Sequence, residues 1–474
     1  MESHHEHIIG CIVTHTADKF GELLVGLSAD FKDKEVVVIG LGYVGLTLGA
    51  YLAELGFRVH GVEIRDLVLE SLNKKKSFFW EPKLDDLLAR NIGKGTFTFS
   101  SLIPKSSNTR VFIITVGTPI NSEKRAILDS IVKVSEQVSQ AMKDGDMVIL
   151  RSTVKLNTTS TVVAPILRKS RKDFDLAFCP ERTLEGAALT ELGELPQIVG
   201  ASTSRSRIRA ANFFQQVTPN VVNVSNAETA EMIKLVDNMQ RDVSFAVSNE
   251  VAHLCNSQPI RASEVISAGK LGYKRTNLFS PGPVGGPCLE KDSYLLAESL
   301  ESFGGKARVA MAARETNERV IEEASSFISN WINTNIKNLN RKVAVLGMAF
   351  KGSPETNDLR GSPSLDLVHN IESNLPDAEI YCWDPVIHYT ELVDLGHKSL
   401  PTIGEVLAGA SAVILVNNHP TLSNLDLASL FEASQTPLLI YDFWGRNDQN
   451  LSLLENKHYY SWGNHHKVEP EKSL

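Results

Sequence analysis

A cysteine in a loop rich in glycine and proline is the residue best suited to covalent chemistry. Cys288 lies in PGPVGGPCLEKD, with Lys291 and Asp292 close behind it. Glycines in such a loop can bring backbone N–H groups close to a ligand. A thiolate there could add to an aldehyde and form a thiohemiacetal, whose oxidation gives a thioester. A cysteine taken alone is more often a small buried hydrophobic residue, so this hypothesis depends on its companions.

Two other segments carry polar groups that suit the same chemistry. AETAEMIKLVDN places Lys234 and Asn238 at i and i+4 of a predicted helix, where an ammonium and an amide could stabilise an oxyanion. A solvated surface lysine is the ordinary alternative. CPERTLEG places Glu181 just after a predicted strand, where the active-site residues of α/β folds gather. Its carboxylate could activate water, or it could be a helix N-cap or the partner of Arg182.

A glycine-rich turn predicts a dinucleotide site. Gly40, Gly42 and Gly45 form G-x-G-x-x-G between a predicted strand and a predicted helix, and Glu63 lies near the end of the next strand. The glycines permit a tight turn, the close approach of a pyrophosphate and close packing of the helix on the strand. An acid at that distance can bind the adenosine ribose and repel a 2′-phosphate. NAD is therefore favoured over NADP, although Arg65 could accommodate a 2′-phosphate, and a flavin or another nucleotide stays an alternative.

The elements that must position these residues show a strand–helix alternation twice along the chain. EVVVIG from Glu35 is typical of a strand buried on both faces, and strand-like runs recur up to LPQIVG and again from Lys342 to PLLIYDFW. Between them, one uninterrupted helical pattern runs from Ala227 to about Asn256, and another ends near Trp331. We therefore predict an α/β fold with two Rossmann-like doubly wound domains joined by a central helical domain with a long spine helix.

The predicted divisions of the chain follow these changes of pattern. Residues 1–33 form an N-terminal extension of unknown use, in which HIIGCIVTH could be a strand and DKFGELLVGL a helical turn or two. Residues 34–225 form the dinucleotide-binding domain, 226–335 the central helical domain and 336–474 the second α/β domain. The final HHKVEPEKSL is predicted to be a mobile polar tail.

Composition argues against several classes of function. The net charge of −8, from 48 basic and 56 acidic residues, is opposite to that of most nucleic-acid-binding domains. The five cysteines lack the spacing of a zinc site or of a disulfide framework. No apolar run reaches the roughly 18 residues that span a bilayer, and the N-terminus lacks the pattern of a signal peptide. We expect a cytoplasmic protein without a metal, nucleic-acid or membrane partner.

Taken together, the motifs resemble the UDP-glucose/GDP-mannose dehydrogenase family from about Lys34 to Arg446. The segments that carry the resemblance are VIGLGYVG, VGTPI, RSTV, CPERTLEG, AETAEMIKLVDN, PGPVGGPCLEKD, VAVLGMAFKGSPETNDLRGSPS and YCWDP. The resemblance implies an NAD-dependent oxidoreductase that oxidises C6 of a UDP-sugar through to a uronic acid, a building block of surface polysaccharides. It also implies a homodimer formed through the central domain, with the nucleotide of the UDP-sugar bound by the C-terminal domain.

The family's functional residues carry over position by position. The resemblance implies a nucleophile, two oxyanion donors, an acid and a threonine that organise water or proton transfer in the first oxidation, and a glutamate that assists thioester hydrolysis: Cys288, Lys234, Asn238, Asp292, Thr153 and Glu181. The implied cofactor set is Gly40, Gly42, Tyr43, Val44, Gly45, Glu63 and Thr118. The implied substrate set is the phosphate-binding Lys351, with nucleotide or cross-subunit contacts from Arg360, Lys274, Arg275 and Arg446.

Smaller signals bear on the sugar and on the reaction. The Cys-Pro-Glu-Arg form around Glu181 resembles the branch that acts on UDP-N-acetylhexosamines, so we expect UDP-N-acetylmannosamine or UDP-N-acetylglucosamine, with UDP-glucose as the alternative. Pro287 precedes the cysteine where the family more often has histidine, Glu63 replaces a more usual aspartate, and RSTV lacks the usual PGT after it. A single-step hydroxyacid or polyol dehydrogenase would not need Cys288, and the intact catalytic set argues against a non-catalytic nucleotide-sugar-binding protein.

Overall fold

The computed structural model describes residues 27, 31–105, 108, 110–336, 341–433, 437–446 and 458–466. The strand predicted for HIIGCIVTH lies outside these residues, as does all but Leu27 of the helical turn predicted for DKFGELLVGL. Leu27 and Phe31 pack against the core of the first domain, and the Phe31 ring meets Phe57 edge to face with 5.9 Å between centroids. Asp33 pairs with Arg209 at 2.7 Å. The described end of the N-terminal extension is thus attached to the first domain.

The first domain is built on one mixed, mostly parallel sheet. Its strands are β1 Glu35–Ile39, β2 Arg58–Val62, β3 Phe97–Ser100, β4 Val111–Ile114, β5 Asp146–Leu150, β6 Phe174–Phe178, β7 Gln197–Ala201 and β8 Val221–Asn223. They lie in the order β3-β2-β1-β4-β5-β6-β7-β8. Successive residues of β1 point to opposite faces, so Val36 and Val38 enter one apolar cluster while Val37 and Ile39 enter another.

Helices flank both faces of this sheet. They are α1 Tyr43–Glu54, α2 Asp66–Asn73, α3 Leu84–Lys94, α4 Asp129–Ala141, α5 Ala164–Arg168, α6 Ala188–Glu194 and α7 Ser204–Phe214, and a π-helical turn at Thr159–Val163 precedes α5. Helix α1 begins directly after Gly42, its N-cap residue. Its N-terminal N–H groups, which lack partners within the helix, therefore face the glycine-rich turn.

The central part of the chain is helical. It contains α8 Ala227–Asn256, α9 Ala262–Lys270, α10 Asp292–Glu301 and α11 Arg308–Asn335. The side chain of Asn226 caps α8 by accepting the Thr229 N–H at 2.8 Å. Helices α8 and α11 pack along each other, and α10 packs against both. The spine helix predicted from sequence is confirmed as α8, and the divisions predicted at 225/226 and 335/336 lie beside its start and beside the end of α11. We propose the same divisions for the folded chain.

The C-terminal part forms a second, fully parallel sheet. Its strands, β9 Lys342–Leu346, β10 Glu379–Trp383, β11 Ala412–Leu415, β12 Leu439–Asp442 and β13 His458–Ser461, lie in the order β10-β9-β11-β12-β13. Its helices are α12 Pro363–Asn374, α13 Tyr389–Asp394, α14 Ile403–Leu407, α15 Pro420–Ser423 and α16 Leu427–Ala433. Within the described ranges, no helix is long and apolar enough to cross a membrane.

The predicted fold class is confirmed, but four local expectations change. Strand β7 runs antiparallel to β6, so the first sheet is not wholly parallel. Strands β3, β8 and β13 were not predicted, because β3 and β8 are short edge strands with exposed polar positions and β13 follows a segment without a strand pattern. The second helical stretch divides into α10 and α11 at Gly304, which has φ +74°. His465 is packed, since its ring stacks on Phe327 with 4.1 Å between centroids; residues 467–474 of the predicted tail lie outside the described residues.

Candidate active site

A cavity of ≈ 690 Å³ lies where the three parts of the chain meet. Its lining comes from the segment 182–195 after β6, from α8, from the loop 283–289 and from the C-terminal domain at residues 350–353, 418 and 444. This volume is within the range of about 300–1,000 Å³ that is typical of small-molecule sites. Four of the residues predicted from sequence border it, namely Lys234, Asn238, Cys288 and Lys351.

The loop that carries Cys288 packs closely against the C-terminal domain. Gly286 has φ +96° and donates its N–H to the carbonyl of Gly361 at 2.8 Å. A Cβ on Gly285 would lie 2.2 Å from the same carbonyl oxygen. Both glycines are therefore needed for close packing of backbone on backbone, and the loop places Cys288 at the wall of the cavity.

The Cys288 thiol is exposed to the cavity and surrounded by protein elsewhere. This burial raises its pKa above the usual value; the charge of Asp292 raises the pKa further, whereas Lys234 and Lys291 oppose the rise. The raised pKa favours the protonated thiol. It must lose its proton as it attacks a substrate carbon, since the thiolate is the nucleophile.

Asp292 connects the cysteine loop to the spine helix. Its Oδ1 accepts from Lys291 Nζ at 2.6 Å and its Oδ2 accepts from Asn238 Nδ2 at 2.5 Å. Burial alone would lower the pKa of Lys291, but the charges of Asp292 and Cys288 outweigh it and raise that pKa. Lys234, 8% exposed, borders the cavity, and among the described residues no ion pair or hydrogen bond holds its ammonium. The ammonium is thus available to a ligand oxygen.

Glu181 is fixed more tightly than its predicted role suggests. Its Oε2 accepts from Arg151 Nε at 2.9 Å and Nη2 at 2.6 Å, and its Oε1 accepts the N–H groups of Arg182 and Thr183 at 2.7 and 2.8 Å. Burial would raise the pKa of Glu181, but the Arg151 charge, the Thr183 N–H and the Lys234 charge outweigh it and lower the pKa. The sequence left open an ion pair between Glu181 and Arg182. In the structure Glu181 pairs with Arg151, and Arg182 pairs with Asp237 at 3.0 Å.

A second glutamate, which sequence analysis missed, borders the cavity. Burial and the charge of Asp358 raise the pKa of Glu185 to about 7, although Arg360 and Lys351 act in the opposite direction. The contacts of its two carboxylate oxygens to Arg360 and Thr356 are long, both 3.5 Å. The only signal in the sequence is its position four residues after Glu181 in the same loop. Its carboxyl group also shares a hydrogen bond with Asp358, which favours the protonated form and helps to raise the pKa; once ionised, its carboxylate can accept a hydrogen bond from a water molecule.

The glycine-rich turn has the shape of a diphosphate cradle. Gly40 has φ +93°, and a Cβ on Gly45 would lie 1.9 Å from the Gly40 carbonyl oxygen. A Cβ on Gly42 would meet no atom within 4 Å, so open space lies at the helix N-terminus where phosphates bind. Glu63 is buried at the end of β2, where its carboxylate accepts the Leu41 N–H at 3.0 Å. These features fit NAD.

Arg65, which could have indicated NADP, is paired with the predicted ribose ligand. Its Nη2 lies 2.8 Å from Glu63 Oε2, and its guanidinium lies 5.0 Å from the centre of the Phe78 ring. Burial would raise the pKa of Glu63, but the bonds and charge of Arg65 and the Ile64 N–H outweigh it and lower the pKa. The carboxylate is therefore ionised at neutral pH. Its two oxygens accept five hydrogen bonds, from Leu41, Ile64 and Arg65, so a ribose diol would bind there by replacing the side-chain bonds of Arg65.

Three other predicted residues have contacts that restrict their roles. The hydroxyl of Tyr43 is bonded to Glu81 and accepts the Gly186 N–H at 2.8 Å, so the protein itself already engages this hydroxyl. Thr118 is buried and donates to the Thr153 carbonyl at 2.5 Å. This bond places Thr153 beside Thr118. The resemblance assigned Thr153 and Asp292 to the same step, but the Asp292 side chain is bonded to Asn238 and Lys291.

The predicted substrate contacts divide into two groups. Lys351 borders the cavity and donates to the Glu185 carbonyl at 2.5 Å; burial lowers its pKa to about 8, against the raising charge of Glu185. Arg360 lies nearby and pairs with Asp358 at 2.6 Å. The residues that do not border this cavity within one chain are Arg360, Lys274, Arg275 and Arg446; Arg360 lies 3.5 Å from the lining residue Glu185, and Arg446 lines a separate pocket beside α9.

A further cation on α8 was also missed. Arg241 borders the cavity three residues after Asn238, on the helical face that already carries Lys234. It lies close enough to Lys351 for its charge to lower the pKa of that lysine. The cavity therefore has a cationic wall suited to a diphosphate or a carboxylate. Within the described ranges, no cluster of histidine, cysteine, aspartate and glutamate could hold a metal ion.

Three domain models of one family match successive parts of the chain. The NAD-binding domain of the UDP-glucose/GDP-mannose dehydrogenase family matches residues 34–218, its central domain matches 228–319 and its UDP-binding domain matches 344–449. A UDP-N-acetyl-D-mannosamine dehydrogenase from Pyrococcus horikoshii is 30% identical over 412 residues, covering 85% of this chain and 94% of that protein. One of the same name from Campylobacter jejuni is 33% identical over 354 residues, covering 72% and 84%.

Solved structures agree with these sequence matches. The structure of the UDP-D-ManNAc dehydrogenase from Pyrococcus horikoshii superposes with a TM-score of 0.79 at 28% identity, covering 91% of this chain and 99% of that one. The UDP-N-acetyl-mannosamine dehydrogenase Cap5O from Staphylococcus aureus superposes with a TM-score of 0.76 at 26% identity, covering 91% and 98%. The similarity therefore extends over all three parts of the chain.

Proposed function

Because the chain belongs to the UDP-glucose/GDP-mannose dehydrogenase family, we propose that it oxidises C6 of UDP-N-acetylmannosamine to the carboxylate through a covalent bond to Cys288. It is an NAD-dependent UDP-sugar dehydrogenase. The observation that carries the finer proposal is that Cys288, Lys234, Asn238 and Lys351 border one cavity between the cofactor domain and the UDP-binding domain. The Cys-Pro-Glu-Arg segment supports an N-acetylhexosamine, and the names of the similar proteins support N-acetylmannosamine among these sugars.

The first half of the reaction converts the C6 alcohol to an aldehyde. The glycine-rich turn at Gly40, Gly42 and Gly45 would hold NAD⁺, which would supply the hydride acceptor for each of the two oxidations. The C6 hydroxyl gives its proton to a water molecule, a transfer that Asp292 and Thr153 are expected to organise. Lys234 stabilises the alkoxide that is left, because its ammonium is free and borders the cavity. Lys351 and Arg241 hold the diphosphate on the other side and so orient C6.

Cys288 holds the aldehyde between the two oxidations. Its sulfur adds to C6 as the thiol proton passes to a water molecule in the cavity, a C–S bond forms, and the carbonyl oxygen becomes the alkoxide of a thiohemiacetal. Asn238 and Lys234 lie beside this oxygen on one face of α8. Loss of the second hydride from C6 re-forms the C=O bond and gives the thioester. The bound aldehyde is thus never released.

Hydrolysis of the thioester needs a base, and we propose that Glu185 supplies it. The four hydrogen bonds to Glu181 occupy the four acceptor positions of a carboxylate, so Glu181 assists by holding the segment 182–185. Glu185 borders the cavity with a pKa raised to about 7 by burial and the charge of Asp358. Its ionised form can take a proton from water as the hydroxyl attacks C6, and Cys288 leaves as the thiolate.

The described surface of α8 supports a homodimer. Val236, Val247 and Leu254 are 40, 47 and 59% exposed. At about 100° per residue they share one face, which is about 160° from the direction of Lys234. This apolar stripe faces away from the cavity and is available to the same stripe of a second copy.

A panel of substrates tests the sugar. The purified chain, assayed with NAD⁺ and equal concentrations of UDP-N-acetylmannosamine, UDP-N-acetylglucosamine and UDP-glucose, should show the highest kcat/KM with the first. The same panel with NADP⁺ serves as the cofactor control. A higher kcat/KM with UDP-glucose would overturn the N-acetylhexosamine assignment while leaving the covalent mechanism open to its own test.

A further inference from the structure

A polar network fills the contact between α8, α10 and α11 and reaches both ends of the cysteine loop. Asp242, Asn249, Ser293, Arg314 and Asn317 are each at most 2% exposed. Buried polar groups of this kind are generally hydrogen-bonded, because an unpaired buried group costs about 1–3 kcal/mol; among these side chains Arg314 Nε makes no hydrogen bond and lies 3.7 Å from Glu318 Oε1. Their partners therefore indicate what the network holds in place.

The first end of the loop is clamped by Asn249. Its Oδ1 accepts the Gly282 N–H at 2.8 Å and its Nδ2 donates to the Gly282 carbonyl at 3.0 Å. The same Nδ2 also donates to Asn317 Oδ1 at 2.9 Å. Asn317 in turn donates to the Asp242 carboxylate at 2.8 Å. The Asn249 amide thus binds both the N–H and the carbonyl of Gly282, and its bond to Asn317 connects Gly282 to α11.

The second end of the loop is held by Arg314. Its Nη1 donates to the carbonyl of Leu289, the residue after Cys288, at 2.7 Å and lies 3.2 Å from Asp242 Oδ1. Asp242 Oδ2 accepts from Ser293, the residue after Asp292, at 3.0 Å. A single carboxylate on α8 therefore connects the residue beside the nucleophile and the residue beside its acidic neighbour.

The network continues the catalytic face of α8. Asn238, Asp242 and Asn249 follow Lys234 at i+4, i+8 and i+15, which places all four within about 80° of the helix circumference. Lys234 and Asn238 border the cavity. Asp242 and Asn249 hold the cysteine loop in place through the hydrogen bonds described above. One rigid helix thus carries the groups that meet the substrate and the groups that hold the nucleophile toward them.

We propose that Asp242, Asn249, Arg314 and Asn317 are positioning residues that keep Cys288 within bonding distance of the C6 aldehyde. This inference rests on the proposed function. Hydride loss from the C6 alcohol does not involve Cys288, whereas addition of its sulfur to the aldehyde does. A loosened loop therefore slows capture more than the first oxidation, and aldehyde escapes before the C–S bond forms.

The test compares Asn249→Ala with Asn256→Ala. Asn256 also lies on α8 and also accepts a glycine N–H, that of Gly463 at 3.0 Å, but on the side of the C-terminal segment. In Asn249→Ala we expect kcat for acid formation to fall by about 10- to 100-fold, NADH per sugar to drop from two toward one, and hydroxylamine to trap the released aldehyde as its oxime. Asn256→Ala should keep the ratio of two. Ser293→Ala, which removes only one bond to Asp242, should leak aldehyde to a smaller extent.

Loss of both oxidations in parallel in Asn249→Ala, with the ratio still at two, would overturn the proposal, because that is the result of a smaller folded fraction. The rate at which iodoacetamide alkylates Cys288, followed by peptide mass, is a second measurement that needs no substrate. It should differ from the native rate in Asn249→Ala and equal it in Asn256→Ala; equal rates in all three proteins would also overturn the proposal. If the native chain forms one NADH per sugar, the proposed function fails, and the alkylation rates still test the positioning.

Discussion

Replacing Glu185 by glutamine should stop the reaction at the thioester. The amide keeps the size of the side chain and its long contacts to Arg360 and Thr356 but cannot take a proton from water. A positioned general base contributes about 10²- to 10⁴-fold to a rate. We therefore expect hydrolysis to slow by at least about 10²-fold, while the two oxidations before it continue.

The pH dependence follows from the raised pKa of the same group. Because burial and the charge of Asp358 raise the Glu185 pKa to about 7, the carboxylate is protonated below that pH and becomes available as a base above it. Thioester hydrolysis should therefore rise with pH through 7, and at pH 5.5 it should have about 3% of its plateau rate. The glutamine variant should lack this dependence.

Intact-mass spectrometry of quenched single turnovers measures the thioester directly. Glu185→Gln should accumulate enzyme heavier by the bound UDP-uronate, and Glu194→Gln, an exposed glutamate at the end of α6, should not. Accumulation in Glu181→Gln with rapid turnover in Glu185→Gln would refute the division of roles between the two carboxylates. It would mean that the bonds from Arg151 open during catalysis.

Three further predictions concern the cofactor, the diphosphate and stability. Gly42→Ala should keep the native melting temperature but weaken NAD binding in calorimetry by about 10-fold or more, since its Cβ would occupy the open phosphate space. Gly45→Ala, with its Cβ 1.9 Å from a carbonyl oxygen, should lower the melting temperature. Equal effects of the two substitutions on the melting temperature and on NAD binding would contradict this. Burial lowers the pKa of Lys351 to about 8, so this lysine should gain a proton when UDP binds at pH 8.5. The binding enthalpy should therefore depend on the buffer in the native chain and not in Lys351→Met. A buffer-independent enthalpy in the native chain would contradict this. Burial raises the pKa of Glu231 to about 7 in the folded chain, so the free energy of unfolding should fall by about 3 kcal/mol as pH rises from about 4.5 through 7. Urea titrations should show a fall that is larger by this amount in the native chain than in Glu231→Gln, which keeps the similar contribution of Glu185; equal falls in the two proteins would contradict this.

Local patterns were sufficient for the elements and for part of the site. The spine helix has the bounds that its hydrophobic period indicated, because a long amphipathic pattern and an asparagine cap are encoded within the segment itself. Lys234 and Asn238 border the same cavity as Cys288 because helical spacing and a glycine loop are likewise local properties. The reversed β7 and the edge strands were missed, since strand direction and edge pairing depend on neighbours distant in sequence.

The partners of charged groups could not be predicted in the same way. Glu181 was placed correctly after β6, but its partner Arg151 is 30 residues earlier, at the end of the adjacent strand β5. Glu185 was missed for the same reason, because the partners that affect it are distant in sequence. Its pKa is raised by burial and by the charge of Asp358, which belongs to the other α/β domain. The roles carried over for Lys274, Arg275 and Arg446, like the homodimer and the cytoplasmic location, stay predictions.

The stoichiometry of NADH formation, measured with native chain and Cys288→Ala, tests the covalent mechanism most directly. With limiting UDP-N-acetylmannosamine, the native chain should form two NADH and one uronic acid per sugar. Cys288→Ala should form no more than one NADH per sugar and no acid. One NADH per sugar from the native chain would contradict the role of Cys288, and so would acid formation by Cys288→Ala at the native rate.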